Sequence, residues 1–226
     1  MLTKLKGSIK KNKQVMNLFY RCRFFLFNNK VKNRGRGNKV VTNSASAKAC
    51  TILFNGNNNT VILGESASLR GCLIIMSGDD HVLEIGAHTS IYKSNIAFED
   101  HHCLISIGDY TTIQENGGIS AVEPYSKIII GKRCMFSVDV DIRNTDSHSI
   151  IKLDTGERIN PGKNIFIDDK VWLGAYVQVL KGVSIGNNSI VGIRSLVTKD
   201  IPSHALAVGV PAKVIKTNVD WREERI

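Results

Sequence analysis

Histidine titrates near neutral pH and is the usual side chain for taking a proton from a hydroxyl. The 226-residue chain has six: His81, His88, His101, His102, His148 and His204. His148 ends the polar run Asn144-Thr145-Asp146-Ser147-His148, and Trp172, one of two tryptophans, follows 24 residues later. A neutral imidazole there can receive a hydroxyl proton as the oxygen attacks an activated carbonyl; taken alone, it can equally be a loop residue with local hydrogen bonds. The other five read as structural. His101 and His102 are adjacent, so their side chains diverge if the segment is extended, and His81 and His204 lie in polar turns. No serine or cysteine stands beside a base as a covalent nucleophile requires, so direct transfer is the simpler expectation. The five cysteines (Cys22, Cys50, Cys72, Cys103, Cys134) are widely spaced and form no Cys-x-x-Cys pair. Their odd number and spacing argue against a disulfide framework or thiolate zinc site and fit a reducing compartment.

Such side chains need a scaffold, and from about residue 50 the sequence repeats. Leu63-Gly64, Ile85-Gly86, Ile107-Gly108 and Ile130-Gly131 recur at intervals of 22, 22 and 23 residues. The interval then tightens to six: Ile167-Asp168, Leu173-Gly174, Val179-Leu180, Ile185-Gly186, Val191-Gly192 and Val197-Thr198. The fifth position of each hexad is Val171, Val177, Val183, Ser189, Ser195 or Ile201, small or branched throughout. This fits neither a helical period nor a hairpin alternation, but it fits a solenoid whose units bury their apolar side only by stacking. Each hexad supplies one short strand and a turn, with the first and fifth positions inward and glycine at the crowded corner. Three hexads make an 18-residue triangular coil; the longer intervals are coils with four or five extra residues looped out. The gap of 37 between Ile130 and Ile167 reads as one coil plus an excursion over residues 144–163, a polar stretch holding Gly156 and Pro161.

Composition sets outer limits. With 42% hydrophobic and 22% charged residues the chain is foldable rather than disordered, and no apolar run reaches the roughly 18 residues of a membrane span. Charge is uneven: residues 1–48 carry 13 Lys/Arg and no acid, so of the chain's 30 basic and 20 acidic residues the remainder holds 17 and 20. The net charge of +10 is therefore a property of the N-terminal segment and does not make the whole chain a nucleic-acid binder. That segment interleaves cations with Val15, Met16, Leu18, Phe19 and Phe24–Phe27, and Arg21 and Arg23 break any signal-peptide core. Two expectations stand, an interfacial helix contacting anionic lipid through residues 1–40 or a packing appendage with a solvated basic face, and nucleic-acid binding is a third and weaker reading. Asn33–Ser46 reads as a polar connector, so residues 1–48 form the basic segment, 49–217 the solenoid and 218–226 a tail. Asp220-Trp221-Arg222-Glu223 has capping-box spacing and predicts a short C-terminal helix.

The hexads, and above all the run VWLGAYVQVLKGVSIGNNSIVGIRSLVTKDIPSHALAVGVPAKVIK, resemble the hexapeptide-repeat acyltransferases. The resemblance spans about residues 50–217 and implies an all-β, left-handed parallel β-helix, a hand that periodicity does not show. It implies that His148 is the general base and that Trp172, at the spacing found in sugar and polysialic-acid O-acetyltransferases, walls the donor channel. It places Ala175 and Ile193 against the pantetheine arm of acetyl-CoA, with Thr198, Lys199, Lys213 and Lys216 at its adenosine phosphates. Arginine is common in the family where Lys213 and Lys216 stand, and lysine lacks the bidentate fork. Asn116 and Asp141, with Glu115 and Asp139, are candidates for the acceptor side, although Asn116-Gly117-Gly118 also reads as a turn. A γ-class carbonic anhydrase shares the fold, but His81, His88 and His102 lack its zinc-ligand spacing, so no metal is expected.

The resulting expectation is an acetyl-CoA-dependent O-acetyltransferase. Its acceptor is a carbohydrate, a bacterial capsular or surface polysaccharide or its precursor, with sialic-acid-containing chains among the candidates. The resemblance also implies a homotrimer; cysteine usage and the basic segment lead to the expectation of a cytoplasmic protein, peripheral at the inner membrane face through residues 1–40, with no nucleic-acid partner. N-acetylation of a nucleotide-linked amino sugar, xenobiotic acetylation and a non-catalytic scaffold are the alternatives.

Overall fold

A computed structural model describes residues 28–226. The expected N-terminal helix and Cys22 lie outside the described residues. Those described form 24 short strands and no helix. The strands build three sheets of eight, seven and nine members, and sheet neighbours are three strands apart in the chain except at the C-terminal end of the nine-stranded sheet. Each coil thus lays one strand on each face of a triangular prism, and eight coils stack along its axis. Strand pairs are parallel except the last, where Lys213–Thr217 returns antiparallel to Ala205–Val208.

Alternation along each strand sends every second side chain inward, and coil-to-coil register stacks like on like. On the first face Ile52, Ile74, Ile96, Ile119, Ile142, Val179 and Val197 form one buried column. On the second, Leu63, Ile85, Ile107, Ile130, Ile167 and Ile185 form another. The second column, with Val179 and Val197 of the first, holds aliphatics whose recurrence marks the sequence. The fifth-position residues Val171, Val177, Val183, Ser189, Ser195 and Ile201 are likewise buried.

The corners explain the second half of each aliphatic–Gly pair. A Cβ on Gly108 would stand 2.6 Å from the carbonyl carbon of Gly131 on the next coil, so only hydrogen fits. Next to these tight points, non-glycine residues adopt left-handed backbone: Ser66, His88, Tyr110, Arg133, Lys170, Asn188 and His204 mark one corner at φ from 54 to 60°. Each such residue costs about 1 kcal/mol. The strain is offset by coil-to-coil hydrogen bonds such as His88 N–H to the Glu65 carbonyl at 2.8 Å and Tyr110 N–H to Ala87 at 2.9 Å.

Several expectations are corrected. The stretch read as a connector is the first coil: Lys30–Asn33, Lys39–Thr42 and Ser46–Lys48 each join a face, so the solenoid starts near residue 30. The four or five extra residues of the longer coils are not a single loop. They lengthen strands on the first two faces to four or five residues, while the third face keeps two or three, as in Leu73–Ser77, Val82–Ile85 and Ser90–Tyr92. Residues 218–226 form no helix, because the Asp220 carboxylate takes the N–H of its neighbour Trp221 at 2.8 Å and the ammonium of Lys170 instead of capping a turn.

Candidate active site

One coil is interrupted. After Asp141–Arg143 on the first face the chain leaves the prism and returns at Ile165–Ile167 on the second, where Ile130 and Ile167 are in register. The root of this excursion is tied to the coil beneath it. The buried Asn144 side chain accepts the Val122 N–H at 2.8 Å and donates to the Val122 carbonyl at 3.1 Å. Next door, the Glu123 carboxylate gathers four donors: Arg158 through both terminal nitrogens (2.6 and 3.2 Å), the Thr145 hydroxyl (2.8 Å) and the Gly162 N–H (2.9 Å). Burial alone would raise its pKa, but the hydrogen bonds from Arg158, Gly162 and Thr145 outweigh it and hold the carboxyl below its ordinary value.

Asn160 ties the far limb to the near one. Its amide nitrogen donates to Asp146 and to the main-chain carbonyl of His148, both at 2.8 Å, and its amide oxygen accepts the Ile150 N–H at 2.6 Å. Lys181, one coil on, reaches the Asp146 carboxylate and the Asn160 carbonyl, and its hydrogen bond, with that of Asn160, keeps the Asp146 carboxyl below its ordinary value. His148 therefore has a fixed backbone: its N–H donates to the Asp146 carbonyl at 2.7 Å and its carbonyl is held by Asn160. The imidazole is exposed and has no hydrogen bond or ion pair among the described residues. It is free to meet a hydroxyl.

Trp172 lies on another face. It opens the strand Trp172–Leu173 on the third sheet, in register with Met135 and Ile190, and is 37% exposed. His148 projects from the corner between the first and second faces, so the chain does not bring the two residues together. The remaining candidates divide the same way. Thr198 and Lys199 follow Leu196–Val197 at the corner that carries His148, two coils on. Ala175 and Ile193 stack at the corner between the third and first faces, where the Arg194 N–H donates to the Ala175 carbonyl at 2.8 Å. Lys213 and Lys216 stand exposed on the terminal antiparallel strand beside the third face.

Asn116 and Asp141 belong to the Trp172 side. Asn116 is the left-handed turn residue at φ 61°, and Asp141 begins the next first-face strand, 3.7 Å from Arg143. They do not line a cleft with His148 of the same chain. Glu115 is engaged by Lys93 at 3.1 Å.

The other histidines are structural. His81 is wholly buried in a ladder where the Asn59 side chain accepts its N–H at 2.9 Å and its Nδ1 accepts the Cys103 N–H at 3.2 Å. Burial holds its pKa below the ordinary value. His101 and His102 do not diverge: left-handed backbone at His102 brings their Nδ1 atoms to 3.0 Å. Among the described residues no group of three or more His, Cys, Asp or Glu could hold a metal ion. Sequence reasoning missed Glu123, Arg158, Asn160 and Lys181. The polar Arg158-Ile159-Asn160-Pro161-Gly162 run inside the excursion was their one visible signal.

No family model matches the chain. Two solved structures do, over nearly its whole length. The polysialic-acid-specific acetyltransferase NeuO superimposes with a TM-score of 0.80 and 35% identity, covering 87% of this chain and 89% of that one. The polysialic acid O-acetyltransferase OatWY gives 0.82 and 34%, covering 88% and 92%. A curated polysialic acid O-acetyltransferase of Escherichia coli O1:K1 is 38% identical over 104 residues, 46% of this chain but only 34% of that relative's length. The chain belongs to the hexapeptide-repeat acyltransferase family, and its solenoid is that family's left-handed parallel β-helix.

Proposed function

We propose that the protein is an acetyl-CoA-dependent O-acetyltransferase whose acceptor is a carbohydrate hydroxyl on a bacterial capsular or surface polysaccharide or its precursor, sialic-acid-containing chains included. The observation that carries this is the likeness, at about a third identity across almost all of both chains, to two polysialic acid O-acetyltransferases. The anchored excursion with a free imidazole near its root supports it independently.

His148 takes the proton of the acceptor hydroxyl as that oxygen attacks the thioester carbonyl, then returns it to the departing thiolate; the acetyl group passes directly to the sugar. Trp172 walls the donor channel, and Ala175 and Ile193 stand along the pantetheine arm. Thr198, Lys199, Lys213 and Lys216 meet the phosphates. The donor set fits that role: all four side chains are exposed, and the three lysines have no ion pair among the described residues. Asn116 and Asp141 face the acceptor. The enzyme is a homotrimer of prisms packed side by side, so that one copy's His148 meets the next copy's Trp172. That arrangement is what the placement of the two residues on different sides of one prism calls for.

The enzyme works in the cytoplasm or at the inner membrane face, with the basic segment toward lipid. Among the described residues no helix is long and apolar enough to cross a membrane. Because residues 30–33 form a solenoid strand, the lipid test deletes 1–27 and measures vesicle binding; unchanged binding removes the membrane role.

Thiol release from acetyl-CoA with a panel of sugars tests the activity. Release with polymeric or lipid-linked sugars, lost in His148→Ala, is the expected result. Release only with nucleotide-linked amino sugars rejects O-acetylation, and no release with any acceptor leaves a scaffold.

A further inference from the structure

We infer that the C-terminal residues Asp220 and Trp221 form a clip that sets the position of Trp172, which makes Trp221 a positioning residue of the acyl-donor site; the donor role of Trp172 rests on the reading above. After the antiparallel strand Lys213–Thr217 the chain does not leave the prism. It turns down the corner between the second and third faces, where the Val219 N–H donates to the His204 carbonyl at 3.0 Å. Lys170, the left-handed corner residue two positions before Trp172, is then gripped three ways. Its ammonium meets both Asp220 oxygens at 2.6 and 2.7 Å, its carbonyl accepts the Trp221 indole N–H at 2.8 Å, and its ammonium lies 5.9 Å from the centre of the Trp221 ring.

Trp221 is only 6% exposed, and its ring lies 6.0 Å from that of Trp172 at 51°, inside the range of favourable aromatic pairs. On the prism itself Trp172 has Met135 and Ile190 as strand neighbours, leaving the side toward the corner to Trp221. A recess of about 320 Å³, lined by Arg133, Lys170 and residues 221–224, adjoins the clip. A tail held this way fixes the corner from which Trp172 projects and limits the tilt of its indole. Losing the clip loosens the donor channel without touching the imidazole that takes the proton.

The chain's two tryptophans make this measurable, because any substitution of Trp221 leaves Trp172 as the sole indole. Compared with Trp221→Phe, which keeps a ring against Trp172, Trp221→Ala is expected to shift Trp172 emission to the red and to raise its quenching by acrylamide. KM for acetyl-CoA should rise about three- to tenfold in Trp221→Ala, with kcat within about twofold of wild type, and recover in Trp221→Phe. Identical emission in the two variants overturns the inference, as does a fall in kcat at unchanged KM. If Trp221→Ala does not fold, Asp220→Asn loosens the same clip from an exposed ion pair, and an unchanged KM there overturns it equally. Should wild type release no thiol at all, the acetyltransferase reading fails, and Trp172 emission alone decides whether the clip exists.

Discussion

The side-chain amide of Asn160 holds the main-chain carbonyl of His148 at 2.8 Å, while the imidazole has no partner of its own among the described residues. Backbone and side chain are thus under separate control: the excursion fixes where the ring starts and leaves the ring itself unengaged. Asn160→Ala releases that carbonyl, the Asp146 carboxylate and the Ile150 N–H together. A displacement of about 1 Å at a reacting group can cost about a hundredfold in rate. The expected outcome is a fall in kcat of about ten- to hundredfold with KM for acetyl-CoA nearly unchanged, read from initial rates at varied donor concentration.

His148→Ala should separate activity from stability. Deleting a base of this kind removes about a hundred- to ten-thousandfold of rate. The ring is exposed and makes no hydrogen bond or ion pair among the described residues, so thermal denaturation should leave Tm within about 1 °C of wild type. A large drop in Tm would mean that the imidazole is a structural residue.

The excursion should loosen in acid. Glu123 and Asp146 both have carboxyl pKa values below ordinary, the first because hydrogen bonds from Arg158, Gly162 and Thr145 overcome burial, the second chiefly through Lys181. For depressed carboxylates, the stabilisation is fully present above the unfolded-state value and is lost as pH falls from there through the folded-state value. Limited proteolysis between residues 144 and 164 should therefore stay slow at neutral pH and accelerate below about pH 4. Glu123→Gln breaks the charge-assisted pair with Arg158 and should destabilise by about 1–3 kcal/mol and flatten that pH dependence. A profile unchanged in the variant would show that Glu123 is not the anchor.

Core and corner positions give the sharpest link back to sequence. Ile130 stacks between Ile107 and Ile167 in a buried column, and Ile130→Ala should cost about 2–5 kcal/mol in denaturant unfolding. Ile130 was legible because each coil buries the same positions, so the column leaves a period in the chain. The first coil was not: Lys30, Lys32 and Lys39 face solvent, and where later coils put Leu63 and Ile85 in the second-face column it puts the polar Thr42. The excursion's boundaries could be read from a broken period. Its anchoring could not, because Glu123 and Arg158 lie 35 residues apart and meet only once coils have stacked. The division of the candidate site was equally hidden, since a linear motif does not say which face of a prism each residue occupies.

That division yields the most discriminating experiment. If one copy's His148 works against the next copy's Trp172, two inactive variants should rescue each other. His148→Ala and Trp172→Ala, unfolded together in equal amounts and refolded, assort at random into trimers, and about three quarters contain both kinds of copy. Around a closed ring each such trimer holds one intact His148–Trp172 pair out of three. Read at an acetyl-CoA concentration low enough that Trp172→Ala refolded alone shows negligible release, the mixture should therefore recover about a quarter of wild-type thiol release. A site built within one chain cannot be rescued this way, because every copy in the mixture is missing one of the two side chains. Recovery near zero, with trimers verified by light scattering, would place both residues in one subunit's site and require the excursion to swing across the prism, against the bonds that Glu123 and Asn160 make at its root.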